Sequence, residues 1–211
     1  MKTKTLFTLL LFQFIVAFSY GQEEEIDDKI LILLDATESG KLKEVKQMVE
    51  KGVDIDGTQG DGKTALYFAV LTRRFNIVKY LVEHGANVNV ADPYGNNPLF
   101  VAVVDDNFKT VKYLVEHGAN VNAISPDGLP LLFEAIDVGS FKIVKCLAEH
   151  GADINMIDEE GNSPFYYAIY NQNVKIVKYL LEHDAVIVNS DKSNLCDTDN
   201  KKIKKLLQCE E

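Results

Sequence analysis

The sequence predicts an all-α repeat solenoid built from helix–helix–hairpin units with a period of 33 residues. The first observation is an eight-residue segment that recurs at Lys79–Ala86, Lys112–Ala119, Lys145–Ala152 and Lys178–Ala185. The second is a track of glycines with the same spacing, at Gly62, Gly95, Gly128 and Gly161. Two unrelated tracks that share one period indicate stacked copies of a single supersecondary unit.

The first helix of a unit follows a residue that can cap it. Thr64, Asn97 and Ser163 occupy the N-cap position, where a side-chain oxygen accepts a backbone N–H. Pro130 replaces them in the fourth unit, so no side-chain cap is expected there. A small residue recurs in the middle of this helix and allows close helix packing, at Ala69, Ala102, Ala135 and Ala168.

The second helix carries apolar residues at helical spacing and ends at a glycine such as Gly85, which suits a left-handed C-terminal position. The turn between the two helices keeps glycine in some units. It has Arg73, Asp106 and Gln172 in others, where a left-handed backbone would be costly. After the second helix, the segment through Asp92–Gly95 has the turn residues of a projecting hairpin.

This unit resembles the ankyrin repeat. The family's Thr-Pro-Leu-His box corresponds to Thr64–Tyr67, Asn97–Phe100 and Ser163–Tyr166, and its Gly-Ala-Asp-Val-Asn element to Gly151–Asn155. The resemblance covers about Ile26 to Asn189. The box histidine is replaced by an aromatic residue in the four strong copies, which predicts apolar stacking in place of polar bonds: Tyr67, Phe100, Phe133 and Tyr166.

We expect one repeat domain over 22–189, with units at about 27–59, 60–92, 93–125, 126–158 and 159–189. The first unit is degenerate and has a polar second helix, as the end of a solenoid requires. A capping segment over 190–211 follows, with a helix predicted at 200–208 from the apolar stripe of Ile203, Leu206 and Leu207. The alternative is a frayed polar tail.

The first 21 residues have the pattern of a secretion signal. Lys2 and Lys4 precede an apolar run from Leu6 to Phe18, and Ser19 and Gly21 suit cleavage before Gln22. The run is shorter than the ~20 residues of a membrane-spanning helix. We therefore expect a secreted or periplasmic protein, cut after Gly21 and without a membrane partner after cleavage. An uncleaved membrane anchor is the alternative.

The chain is acidic, with 32 Asp and Glu against 22 Lys and Arg and a formal charge of −10. Removal of Lys2 and Lys4 with the signal would leave 20 basic residues and a charge of −12. Nucleic acid and anionic lipid both require a positive surface, so neither is expected as a partner.

Cysteine is sparse, which excludes a disulfide framework. Cys196 and Cys209 are close enough in sequence to pair in an oxidising compartment, whereas Cys146 lies inside a repeated helix and is interpreted as a packing residue.

No catalytic or metal-binding motif is present, so no cofactor is expected. The four histidines recur at one repeat position, and packed helices lie ~8–10 Å apart. They are too far apart to share one tetrahedral ion, whose ligands lie within ~2.1 Å. The acidic turn Asp158–Glu160 does not have the spacing of a calcium-binding EF-hand loop.

The resemblance also implies a binding surface, because ankyrin proteins hold partners with the hairpin tips and the concave face of the first helices. On this chain those positions are Phe68, Leu71, Tyr94, Val101, Val104, Asp105, Asp127, Glu134, Asp137, Glu160, Tyr167, Tyr170 and Asn171. We expect these side chains to point outward. The alternative for the aromatic ones, Phe68, Tyr167 and Tyr170, is packing between repeats.

Together these observations predict a non-catalytic, monomeric scaffold that binds a protein with a basic, partly apolar surface. An accessory regulator of one exported enzyme, acting as an inhibitor, immunity factor or maturation aid, is the alternative. An enzyme or small-ligand receptor with this fold is a third hypothesis.

Overall fold

The computed structural model describes residues 28–58, 60–188, 196 and 198–209. The predicted signal at 1–21 lies outside the described residues. The described part contains eleven helices. In chain order they are α1 (Asp28–Glu38), α2 (Leu42–Glu50), α3 (Ala65–Leu71), α4 (Phe75–Glu83), α5 (Pro98–Val104), α6 (Phe108–Glu116), α7 (Leu131–Asp137), α8 (Phe141–Glu149), α9 (Pro164–Tyr170), α10 (Val174–Glu182) and α11 (Lys201–Leu206).

The helices form two layers, which confirms the predicted all-α solenoid. The first helices α1, α3, α5, α7 and α9 pack successively on one another, and the second helices α2, α4, α6, α8 and α10 form the other layer. Each first helix also packs against the second helix of its own unit. Every unit therefore contacts mainly its neighbours.

The caps of the first helices follow the sequence. Thr64, Asn97 and Ser163 accept the backbone N–H three residues further on, at 3.2, 2.8 and 3.0 Å. Pro130 begins α7 without a side-chain hydrogen bond, as expected. The turn that follows each first helix is left-handed at Arg73, where φ is 56°, and at its counterparts in the other units.

The core is continuous along the array. The recurrent alanines Ala69, Ala102, Ala135 and Ala168 are all fully buried, which confirms their role in close packing between layers. Leucines, valines and isoleucines of both layers fill the space around them, including Leu81 and Leu114, each fully buried. Truncating one such leucine to alanine would cost about 2–5 kcal/mol.

The connections between units are short hairpin-like loops. Each tip is closed by a backbone hydrogen bond across the turn, in which Asp92, Ser125 and Asp158 donate to the carbonyl four residues on, at 3.0, 2.7 and 3.0 Å. One isolated antiparallel bridge, between Ile124 and Pro130, extends this pairing.

A ladder of side chains at the base of these loops joins successive units. Asp56, Asn89, Asn122 and Asn155 each accept the backbone N–H of a residue 31 positions further on. Asn89 and Asn122 also donate to the carbonyls of Gly118 and Gly151, at 3.1 and 3.0 Å. We refer to these four residues as the loop ladder.

At the C-terminal end, α11 packs on α10 and buries Ile203 completely. Asn200 caps α11 by accepting the N–H groups of Lys202 and Ile203. The structure joins Cys196 and Cys209 in a disulfide, with their Cα atoms 5.7 Å apart. Cys146 is buried in α8 as a free thiol.

Candidate functional site

The exposed apolar side chains of the first helices and the loop tips define a candidate surface. Leu71 and Val104 end α3 and α5 and are 50% and 48% exposed, and Tyr170 at the end of α9 is 73% exposed. Tyr94, at a loop tip, is 76% exposed. We call this surface the inner face, formed by the outward side chains of the first helices and by the tips at Tyr94, Asp127 and Glu160.

Val101 contradicts its predicted outward orientation, because it is only 8% exposed and belongs to the core. It lies one turn before Val104 in α5. Helix α5 is covered by its own second helix and by both neighbouring first helices, and at Val101 this packing excludes solvent. The expectation that Val101 points outward is therefore wrong.

The residues equivalent to Val101 in the second, fourth and fifth units, Phe68, Glu134 and Tyr167, are half-buried. The rings of Phe68 and Tyr67 are nearly perpendicular, with their centroids 5.8 Å apart. Tyr167 packs edge-on against Phe133 of the preceding unit, at 5.2 Å. Packing between units thus occupies Tyr167, whereas Tyr170 remains outside the core.

Asp105 is engaged within the molecule. The Arg73 guanidinium donates to one Asp105 carboxylate oxygen at 2.6 Å and to its carbonyl oxygen at 2.9 Å. The other carboxylate oxygen is buried and has no hydrogen-bond partner among the described residues. Asp105 therefore joins the second and third units, and its carboxylate is less available to a partner than its sequence position indicates.

A cleft of about 220 Å³ opens between the last two loop tips and α9. Its walls include Leu129 and Tyr167 and the carboxylates of Asp127, Asp158, Glu159 and Glu160. The Tyr167 hydroxyl donates to Asp158 at 2.8 Å. Burial and this hydrogen bond raise the pKa of Tyr167 to about 12, so the phenol stays protonated.

The pKa of Asp158, in this cleft, and the pKa of Glu134, in α7, are shifted in opposite directions. Burial opposes ionisation of Asp158, but hydrogen bonds from Asn162, Tyr167 and Glu160 outweigh it and lower its pKa. Glu134 is the opposite case. Burial raises its pKa, and the carboxylates of Asp127 and Asp137 raise it further against a hydrogen bond with Ser125. Burial and two neighbouring carboxylates thus both disfavour the charged form of Glu134.

The remaining predicted site residues lie on the same surface. Asp127, Asp137 and Glu160 are exposed, and Asn171 is half-buried with its amide 3.4 Å from Asp137. Among the described residues, no ion pair involves Asp127, Glu134, Asp137 or Glu160. The inner face therefore presents carboxylates that lack a basic partner in the described part of the chain.

The opposite layer has a different charge pattern. Its recurrent lysines lie 3.6–3.7 Å from glutamates one turn later in the same helices, in the pairs Lys79–Glu83, Lys112–Glu116, Lys145–Glu149 and Lys178–Glu182. These exposed pairs contribute little stability, but they make this surface locally neutral. These paired glutamates thus differ from Asp127, Glu134, Asp137 and Glu160 of the inner face, which form no ion pair within the described residues.

A second cleft, of about 410 Å³, lies at the turns between paired helices and is not predicted by the sequence patterns. Arg73, Arg74, Asn76 and Lys109 line it, and the Lys109 ammonium lies 3.7 Å from the centre of the Phe75 ring. The adjacent arginines, the only two in the chain, were the available signal.

The histidines have a structural position at the ends of the second helices. The Nδ1 atom of His84 lies 2.8 Å from the Tyr80 carbonyl oxygen, and its ring lies 3.9 Å from the Tyr80 ring. His117, His150 and His183 make the same contact with the carbonyl four residues earlier. Over the described ranges, no three His, Cys, Asp or Glu residues are grouped closely enough to hold a metal ion.

None of the helices in the described part combines the length and apolar character needed to cross a bilayer.

No curated protein matches the chain. A family model described as ankyrin repeats (3 copies) matches residues 33–125 and 123–191, most of the chain. With the 33-residue period and the two-layer helical array, this match shows that the chain belongs to the ankyrin-repeat family.

Proposed function

We propose that this protein is a non-catalytic scaffold that binds a basic, partly apolar protein surface through its inner face. Ankyrin repeats generally mediate protein–protein interaction. The observation that carries the finer proposal is the exposure of Leu71, Val104 and Tyr170. They lie on a surface where four carboxylates lack a basic partner in the described part of the chain, those of Asp127, Glu134, Asp137 and Glu160. Exposed apolar and aromatic side chains within a polar rim are typical of protein-binding patches.

Charge reversal tests the proposal. The triple variant Glu134→Lys, Asp137→Lys and Glu160→Lys is used as bait in affinity purification and compared with the unmodified protein. The matched control is Glu83→Lys, Glu116→Lys and Glu149→Lys, which changes the net charge equally on the opposite layer. We expect only the inner-face variant to lose the partner, while both keep the helical circular dichroism spectrum. Retention of the partner by that variant would rule out the inner face.

We further propose that the protein is exported and cleaved after Gly21. The supporting observation is the positive, apolar and small-residue order of residues 1–21. N-terminal sequencing of the protein recovered from its own compartment should begin at Gln22. A membrane-bound product that still carries Met1 would support the anchor alternative instead.

The regulator alternative makes a different prediction for the same purification. One exported enzyme would be recovered in stoichiometric amount, and its activity would change when the pure scaffold is added. Partners in variable, substoichiometric amounts, none with altered activity, would favour the general scaffold.

A further inference from the structure

Each first helix carries a pair of residues three positions apart, and of these ten residues only Val101 is buried in the core. The pairs are related by the 33-residue period and are Asp35 and Glu38, Phe68 and Leu71, Val101 and Val104, Glu134 and Asp137, and Tyr167 and Tyr170. Residues three apart in a helix lie on the same side of it. Because the five first helices pack successively on one another, the pairs form an ordered series along the array.

The chemistry of this series is not random. It is acidic in the first unit, apolar in the second and third, acidic in the fourth and aromatic in the fifth. Within the apolar pairs the second members, Leu71 and Val104, are about half exposed, and Phe68 is partly so. The two acidic pairs therefore flank an accessible apolar stretch.

Neither acidic pair is neutralised by a strong contact. The Asp35 carboxylate lies 3.9 Å from the Lys41 ammonium, and both side chains are exposed. Attraction between exposed charges at this distance is weak because water screens it. Asp137 accepts from the Asn171 amide at 3.4 Å, and Glu134 lies among the carboxylates of Asp127 and Asp137. Both ends of the apolar stretch thus attract cations.

The spacing between the acidic pairs follows from helix packing. Three steps separate α1 from α7, and adjacent packed helices lie ~8–10 Å apart, so the pairs are ~24–30 Å apart. A bound segment must carry its basic groups at that distance to engage both pairs at once.

We propose that the inner face recognises a protein segment with an apolar centre and a basic group at each end, ~24–30 Å apart. This inference rests on the proposed scaffold function and specifies its partner. Apolar burial between α3 and α5 supplies attraction, and the two acidic pairs set the position and the length of the segment. A segment with the same total charge at another spacing would engage only one pair.

Peptides of defined length test the spacing. The probes are acetylated and amidated Lys-Lys-(Pro)n-Lys-Lys peptides, because polyproline is semi-rigid and extends by ~3.1 Å per residue. Spacers of about 3, 9 and 15 prolines separate the lysine pairs by ~9, ~28 and ~46 Å. All three carry the same charge. We expect the middle peptide to bind at least about tenfold more tightly than the others, because only it spans both pairs.

Variants locate the two ends. Asp35→Lys with Glu38→Lys, or Asp137→Lys alone, should each abolish the preference for the middle peptide. Asp137 is exposed, so this single change tests the distal end without disturbing half-buried Glu134. Glu83→Lys with Glu116→Lys, on the opposite layer, should leave the preference intact. Leu71→Ser with Val104→Ser should weaken the middle peptide most.

The spacing inference is overturned if the three peptides bind within about twofold of one another. It is also overturned if none binds, or if the preference survives both end variants. These outcomes do not decide the scaffold proposal, which has a separate test. If the variant with Glu134, Asp137 and Glu160 reversed loses its partner in affinity purification, the inner face still binds protein. A length preference without a captured partner would support the spacing and count against the broader proposal.

Discussion

Arg73, Asp106 and Gln172 hold a backbone conformation that glycine adopts most easily. Their φ values are 56°, 48° and 54°, at the turn where the first and fourth units have Gly40 and Gly139. A side chain in this region is disfavoured by contact between Cβ and the backbone. Arg73 offsets the strain by bonding Asp105, whereas the Gln172 side chain is exposed and makes no such pair in the described structure.

Gln172→Gly should therefore stabilise the protein by about 0.5–1 kcal/mol. The substitution relieves backbone strain in the folded state, and the greater entropy of the unfolded chain offsets part of that gain. Urea unfolding measures the change. Gln47→Gly, at an exposed position inside α2, is the matched control and should destabilise by about 1 kcal/mol. Equal destabilisation by both changes would contradict the left-handed backbone at Gln172.

The cap of α5 gives a second prediction at single-residue level. Asn97→Ala removes the oxygen that accepts the Phe100 N–H at 2.8 Å and should cost about 1 kcal/mol. Asn97→Ser keeps an acceptor and should retain most of the stability. The two variants are compared by urea unfolding, and equal losses would show that the side-chain cap contributes nothing.

At the level of elements, the loop ladder joins units whose helices already pack. Asn122 accepts the Asp153 N–H at 3.1 Å and donates to the Gly151 carbonyl at 3.0 Å. Asn122→Ala should cost roughly 1–2 kcal/mol, because two hydrogen bonds are lost at one junction. Hydrogen exchange should accelerate at the Asp153 amide. Asn122→Asp keeps the acceptor but not the donor, so it should cost less stability than Asn122→Ala.

The position of Glu134 in α7, in contact with Ser125 of the adjacent loop tip, predicts that the stability of the protein depends on pH. Burial raises the pKa of Glu134 above its ordinary value of 4.5, so the folded state binds this proton more tightly than the unfolded chain does. Stability from this group is therefore present at low pH and is lost as pH rises above 4.5 through the folded pKa.

Glu134→Gln should raise Tm near neutral pH and give a smaller difference toward about pH 4, where the wild-type carboxyl is protonated. Thermal melts of both proteins across this pH range measure the difference in Tm between them. The titration of other groups cancels in this difference because both proteins contain those groups. A Tm difference that is constant with pH would contradict the raised pKa of Glu134.

At the level of the whole molecule, a solenoid unit is stabilised mainly by its neighbours, so an end must be sealed. Here α11 covers the fifth unit with Ile203, and a disulfide joins Cys196 to Cys209, 13 positions further on. In the chain-entropy model a loop of this length contributes up to about 3 kcal/mol by restricting the open state.

Cys196→Ser with Cys209→Ser should loosen this end selectively. We expect amide exchange in α11 to accelerate by up to about a hundredfold, with a smaller effect in α10. Exchange in α3 to α6 should not change, because those helices do not contact the cap. Uniform acceleration along the array would show instead that the chain unfolds as a single unit.

The sequence by itself determined the architecture, because the 33-residue period, the caps at Thr64, Asn97 and Ser163 and the recurrent alanines are local and repeated signals. Each copy reinforces the same interpretation. The chemical order along the first helices, from Asp35 and Glu38 to Tyr167 and Tyr170, is likewise present in the sequence once the period is known.

Only the tertiary structure decided which of those side chains are available. Val101 and Val104 are both valines on α5, yet one is buried and the other is half exposed. Asp105 pairs with Arg73 of the preceding unit, whereas Asp137 forms no ion pair within the described residues. Exposure and pairing depend on neighbours about 33 residues away, which a local pattern does not reveal.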